Sequence, residues 1–117
     1  MQASPLDTFD WFIGSGALTY PWYTQVKVTG KDTADWEVQF IDGADDDSTT
    51  LYTLNHQTIM QAVRVIASGT TSVDHVDPTT RDECRKLVFG KLDDVDFDAG
   101  TADQVMQFAA FAEIPYC

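Results

Sequence analysis

Between Leu51 and Gly69 the hydrophobic period of the chain changes. Leu51-Tyr52-Thr53-Leu54 is short, aromatic and β-prone, which predicts a strand. Beyond it Ile59, Ala62, Val63 and Ile66 fall at i, i+3, i+4 and i+7, the spacing of one helical stripe. Met60 and Val65 broaden that stripe, while Gln57, Gln61 and Arg64 take the opposite side. Asn55 suits the N-cap, where its side-chain oxygen can accept a first-turn N–H. Gly69 suits the left-handed position that ends a helix. A two-faced helix that follows a strand must bury its stripe against a sheet.

The segments upstream supply that sheet. Trp22 to Thr29 alternates, with Trp22, Thr24, Val26 and Val28 on one side and Tyr23, Gln25, Lys27 and Thr29 on the other. Gly30-Lys31-Asp32 marks a turn. Trp36, Val38 and Phe40 then alternate inward, and Asp42 to Ser48 is a loop by composition. Before the sheet, Ser4-Pro5 reads as an N-cap with proline at the first helical position, Phe9, Phe12 and Ile13 share a face, and Gly14 is the stop. After Gly69, Asp77-Pro78 repeats the N-cap signature, with Thr80-x-x-Glu83 as an alternative capping box. That helix runs to about Phe89, with Cys84, Leu87 and Val88 inward and Gly90 beyond it. Thr101-x-x-Gln104 predicts the start of a third helix, whose stripe is Val105, Phe108, Ala109 and Ala112. Ile114-Pro115-Tyr116 ends the chain in extended form against the sheet.

The pattern predicts an α+β fold, a three-stranded antiparallel β-meander packed against two or three α-helices. The 117 residues form a single domain: an aromatic N-terminal segment over 1–20, the meander over 22–54 and a helical part over 55–113.

Charge narrows the function classes. The net charge is −12, from 19 acidic and 7 basic side chains. Direct nucleic-acid binding needs Lys and Arg to neutralise phosphates, and an anionic membrane surface needs them too, so neither partner is expected. Solubility, a partner protein with a basic surface, and mimicry of DNA by carboxylates remain. No apolar run approaches the roughly 20 residues of a membrane span. The N-terminus has neither a basic region nor an apolar signal core, so the expected compartment is the cytoplasm. Cys84 and Cys117 are then read as free thiols.

Candidate chemistry is sparse. Asp94-x-Asp96-x-Asp98 opens like a calcium-binding loop, but Ala99 and Val105 stand where that loop needs Gly and Glu. Val95 and Phe97, between the acids, are better read as core residues, with Asp98 just before the third helix. Asp74-His75-x-Asp77 and His56 have metal-ligand types without metal-ligand spacing. Gly14-Ser15-Gly16 is not a nucleophile elbow, and Cys84 falls on an apolar stripe. No catalytic residue, metal site or cofactor is assigned, and the chain is read as a non-enzyme. The remaining candidates form an interaction surface: the Asp45-Asp46-Asp47 run together with Trp11, Phe12, Tyr20 and Tyr23, aromatics that cannot all point inward under strict alternation. Such a patch also suits a homo-oligomer.

The stretch from His56 to Ile66 (His-x-x-Ile-Met-x-Ala-Val-Arg-x-Ile), Asp96-Phe97-Asp98-Ala99, Ala102-Asp103-x-Val-x-Gln and the terminal Glu-Ile-x-Tyr resemble small acidic proteins of unknown function from actinobacteria and their bacteriophages. The resemblance covers about Trp22 to Tyr116. It implies a phage-type accessory protein that acts on a host protein in the bacterial cytoplasm, and it carries no catalytic residues. The function expected is a non-enzymatic protein-binding protein engaged in host takeover. The alternatives are a DNA mimic that inhibits a nucleic-acid enzyme, or a structural, self-assembling virion protein.

Overall fold

The computed structural model describes residues 2–44, 47, 49–69 and 76–116. Asp45 and Asp46 of the expected surface, together with Asp74, His75 and Cys117, lie outside the described residues. The order of elements is α1 (Pro5–Thr8), a π-helical turn (Phe9–Ile13), β1 (Tyr23–Thr29), β2 (Glu37–Asp42), β3 (Leu51–Asn55), α2 (His56–Ser68), α3 (Pro78–Val88) and α4 (Ala99–Phe111). Short 3-10 turns cover Ala17–Thr19 and Leu92–Asp94. The strands form one antiparallel sheet in the order β1-β2-β3, and the fold is α+β. Helices α2 and α4 pack against β3 and against each other, and α3 packs on α2.

The junction at Asn55 forms because both partners of a capping box are present. The Asn55 side chain accepts from Thr58 N at 2.9 Å, and Thr58 Oγ1 accepts from Asn55 N at 2.9 Å. At the other end Gly69 adopts a φ of 64°. The last turn of α2 leaves carbonyls without helical partners, and α3 supplies them with cations. Arg81 Nε donates to Ile66 O and Arg85 Nε to Ala67 O, both at 3.2 Å. These bonds tie α3 across the end of α2.

The central strand alternates as expected, with Trp36, Val38 and Phe40 buried. The edge strand β1 does not. Thr24 pairs with Ile41 and Lys27 with Gln39, so three steps along β1 match two along β2. The extra residue is a β-bulge, with Gln25 at a φ of 52°. A bulge reverses the side-chain parity of the residues that follow it. Tyr23, ahead of it, and Val28, beyond it, therefore share the face that carries Val38 and Phe40, and Val26 is exposed. The expected alternation from Trp22 to Thr29 fails for this reason.

Several helix details also differ from expectation. Asp98, not Thr101, caps α4, because its carboxylate accepts from Thr101 N at 2.8 Å. Asp77 precedes α3, but its side chain makes no cap bond and turns to Gln104 instead. Thr80 and Glu83 do not form a box: Glu83 binds Lys86 and the Asp96 N–H, and Thr80 Oγ1 is buried without a partner. Val88, expected inward, is exposed, because α3 meets α2 along Thr80, Cys84 and Leu87. On α4 the buried face is Ala102, Val105 and Met106, joined by Asp103 and Gln107. Phe108 and Ala109 are half-buried, and Ala112 has left the helix at a φ of 58°.

Among the described residues Gln25, Asp32 and Ala112 hold left-handed positions that favour glycine. The left-handed region costs a non-glycine residue about 1–2 kcal/mol, part of which glycine returns as unfolded-chain entropy. Gln25→Gly and Ala112→Gly are each expected to raise stability by about 0.5–1 kcal/mol in urea denaturation, and Ala112→Val is expected to lower it. A loss of stability in both glycine variants would contradict the bulge and the helix end described above.

Candidate functional site

The buried polar centre of the molecule is Asp103, on the second turn of α4 and 5% exposed. Three donors converge on it. Trp22 Nε1 donates to Oδ1 at 2.8 Å, Tyr23 Oη to the same oxygen at 2.7 Å, and Gln107 Nε2 to Oδ2 at 2.7 Å. Burial pushes the Asp103 carboxyl above the usual carboxylate range, against the pull of these donors. Burial and the neighbouring carboxylate together push the Tyr23 phenol well above its ordinary value, so it remains a donor. Gln107 is fixed by the chain end: its Oε1 accepts from Tyr116 N and its Nε2 donates to Tyr116 O, both at 3.0 Å. The Tyr116 hydroxyl closes the network by donating to Asp42 Oδ2 on β2 at 2.6 Å.

Above this network lies a surface cleft of about 530 Å³. Its wall is formed by Tyr20, Trp22, Tyr116, Asp77, Gly100, Asp103 and Gln104. The Trp22 ring stacks on Tyr20 at 5.0 Å between centroids and on Tyr116 at 5.4 Å, with interplanar angles of 9° and 23°. Asp77 and Gln104 brace the opposite side. Asp77 N donates to Gln104 Oε1 at 3.0 Å, and Gln104 Nε2 donates to Asp77 Oδ2 at 2.9 Å. Among the described residues the wall holds two carboxylates and no Lys, Arg or His. Gly100 keeps the floor open, since a Cβ there meets nothing closer than Asp98 Oδ1 at 3.5 Å and the Tyr20 hydroxyl at 3.9 Å.

The start of α4 would by itself favour an anion in this cleft, through a partial charge of about +0.5. Asp98 reverses that preference. Its carboxyl is held below the usual range by the Thr101 N–H and hydroxyl, so it stays charged at the helix start. With Asp77 and Asp103 it leaves the local field negative.

Of the expected surface, the structure brings only Tyr20 to this cleft. Tyr23 is buried behind it as a donor to Asp103, and Phe12 is buried against Phe97 with ring centroids 4.6 Å apart. Both are corrections: the bulge turns Tyr23 inward, and the π turn lays Phe12 onto the core. Trp11 is half-buried against the same core. Asp47 is exposed in the β2–β3 loop, away from the cleft wall. Sequence reasoning missed Asp103, Gln107 and Tyr116 as site residues, and it read Asp77 as a cap and as a metal-ligand type rather than as part of a cleft. The available signal was Asp103 and Gln107 at i, i+4 within an otherwise apolar face, the spacing at which two polar side chains meet inside a helix packing surface.

Elsewhere, Thr8 Oγ1 lies 2.9 Å from His56 Nδ1 at the far end of the sheet. Burial, with Arg64, lowers the pKa of His56. Cys84 is a buried thiol pushed up to about 12, mainly by burial. Among the described residues no three His, Cys, Asp or Glu side chains group as metal ligands, and no helix is long and apolar enough to cross a membrane. Comparison of the chain with protein-family models, curated proteins and solved structures finds no match.

Replacing Asp103 tests the network. Asp103→Asn keeps an acceptor for Trp22 and Tyr23 but sets an amide donor against Gln107, whose orientation the Tyr116 backbone fixes. The expected cost is about 1–2 kcal/mol. Asp103→Leu orphans all three donors and is expected to cost about 3–5 kcal/mol in urea or thermal unfolding.

The pH dependence follows from the raised carboxyl. The folded state holds the Asp103 proton more tightly than the unfolded state does. Stability from this group is therefore greatest below the ordinary carboxylate value and declines as pH rises through the raised one. The stability advantage of wild type over Asp103→Asn is expected to shrink as pH rises through and above the ordinary carboxylate range. An advantage that grows over this range would show that the donors, not burial, dominate.

Proposed function

We propose that this chain is a non-enzymatic binding protein that engages a partner protein with a basic surface, and that the Trp22–Asp103 cleft receives a basic side chain of that partner. The carrying observation is the cleft wall, with its stacked aromatic rings, two carboxylates and, among the described residues, no cation. A desolvated acceptor beside aromatic rings binds a cationic group more strongly than a scattered acidic surface does. The net charge of −12 adds long-range attraction for a basic partner and repulsion for nucleic acid. We further propose, following the resemblance to actinobacterial and phage proteins, that the partner is a bacterial host protein and that the chain acts in the host cytoplasm.

The test is a tagged pull-down from actinobacterial lysate with nuclease present, at low and moderate salt, comparing wild type with Gly100→Trp. Position 100 is exposed on the first turn of α4 and has room for a side chain, so this variant fills the cleft without disturbing the core. One stoichiometric partner is expected, lost as salt rises and absent with Gly100→Trp. Equal capture by both proteins would remove the cleft from the reading. Recovery of the chain alone would favour self-assembly.

A further inference from the structure

The aromatic and acidic groups of the Trp22–Asp103 cleft are not equally open to a ligand. Tyr20 and Trp22 lie within 9° of parallel, and Trp22 and Tyr116 within 23°. The two ends of this stack differ. Tyr116 also meets the Phe111 ring at 6.1 Å and 89°, and its hydroxyl is held by Asp42. Tyr20 is half-buried, touches no ring but Trp22 among the described residues, and has no hydroxyl partner among them. It is the ring of the wall whose far face no other ring covers. The carboxylates differ in the same way. Asp103 is 5% exposed, and its oxygens already take three donors. Asp77 is exposed, and Gln104 engages only its Oδ2, at 2.9 Å. That bond orients the carboxylate, and among the described residues Oδ1 accepts nothing.

A lysine ammonium is compact and strongly hydrated, with donors in three directions, and one open carboxylate does not replace the water it loses. An arginine guanidinium has weakly hydrated faces that stack on an aromatic ring, and its donors lie in its own plane. The second group is the one that matches a bare ring face beside a single oriented carboxylate. We infer that this cleft receives the guanidinium of a partner arginine, laid on the far face of Tyr20 with its edge N–H groups donating to Asp77, in preference to the ammonium of a lysine. The inference rests on the reading of the cleft as a receiver of basic side chains and names which one. Tyr20 supplies the preference, and Asp77 supplies the charge that either cation uses.

The test titrates two probes of equal charge, N-acetyl-arginine amide and N-acetyl-lysine amide, into the protein at low salt. The reporter is the NMR signal of the Trp22 indole N–H, which points at Asp103. Arginine is expected to bind about tenfold more tightly than lysine. Asp77→Asn is expected to weaken both probes about fivefold, as loss of an exposed charge pair does. Tyr20→Leu keeps an apolar group against Trp22 and removes the flat face. It is expected to bring arginine down to the level of lysine and to leave lysine unchanged. Equal binding of the two probes to wild type overturns the arginine preference while the cleft reading stands, and so does a preference that survives Tyr20→Leu. Binding of neither probe, or arginine binding that Gly100→Trp does not remove, overturns the cleft reading and this inference with it.

Discussion

The Asp103 carboxylate is the point through which the parts of this fold are joined. It draws Trp22 and Tyr23 from the start of β1 to α4, and through Gln107 it holds the backbone of Tyr116. Tyr116 in turn reaches Asp42 at the end of the central strand. Burying a carboxylate costs several kcal/mol unless its oxygens are satisfied, and here three donors offset part of that cost. The arrangement also demands the bulge in β1. Without the extra residue at Gln25, Tyr23 and Val28 would face opposite sides of the sheet, and either the phenol would lose Asp103 or Val28 would leave the core. A left-handed Gln25 at an exposed edge is a small strain, of order 1–2 kcal/mol, set against a satisfied buried charge.

The elements that the sequence made legible are those whose signals are local. Asn55 and Gly69 bracket α2 because a cap and a left-handed end are decided by a few neighbouring residues. The inward alternation of Trp36, Val38 and Phe40 was legible because β2 is central and unbroken. The bulge was not, since nothing local in Thr24-Gln25-Val26-Lys27 announces it: it arises from the need to place Tyr23 and Val28 on one face. Asp77 does stand at the N-cap of α3 with Pro78 after it, but the side-chain bonds at the starts of α3 and α4 were not legible, for a related reason. Asp77 and Gln104 lie 27 residues apart, and their mutual bonds take both side chains away from the capping roles that local spacing suggested. The aromatic surface read from Phe12 and Tyr23 failed where the π turn and the bulge turned those rings inward. The cleft became visible only once Tyr116, near the end of the chain, stacked on Trp22.

The high acidity divides into groups held by the fold and groups left to the solvent. Asp98 caps α4, Asp103 organises the core, Asp42 accepts from Tyr116 and the Ala44 N–H, and Glu83 binds Lys86 and the Asp96 N–H. For these carboxylates the negative charge matters first as hydrogen-bond acceptance, and its contribution to the outer field is secondary. The cations are committed in the same way, with Arg81 and Arg85 on the carbonyls at the end of α2. Net charge alone therefore overstates the field available for recognition, and the location of the uncommitted charge decides more.

That location is asymmetric along one short helix. Near the start of α3 Asp77 and Asp103 line a cleft that holds no Lys, Arg or His among the described residues, and along the helix Arg85 and Lys86 share a hollow with Asp82, Glu83 and the exposed Phe89 ring. A uniformly acidic surface keeps copies apart at any orientation. A carboxylate exposed at a cleft rim acts on a cationic group over a Debye length of about 8–10 Å, while one held by buried donors acts mainly inside the fold. Aromatic rings matter at closer range, where burial of their area adds to an attraction that charge has only oriented. In this cleft Asp77 belongs to the first kind and Asp103 to the second, with the Tyr20, Trp22 and Tyr116 rings beside them.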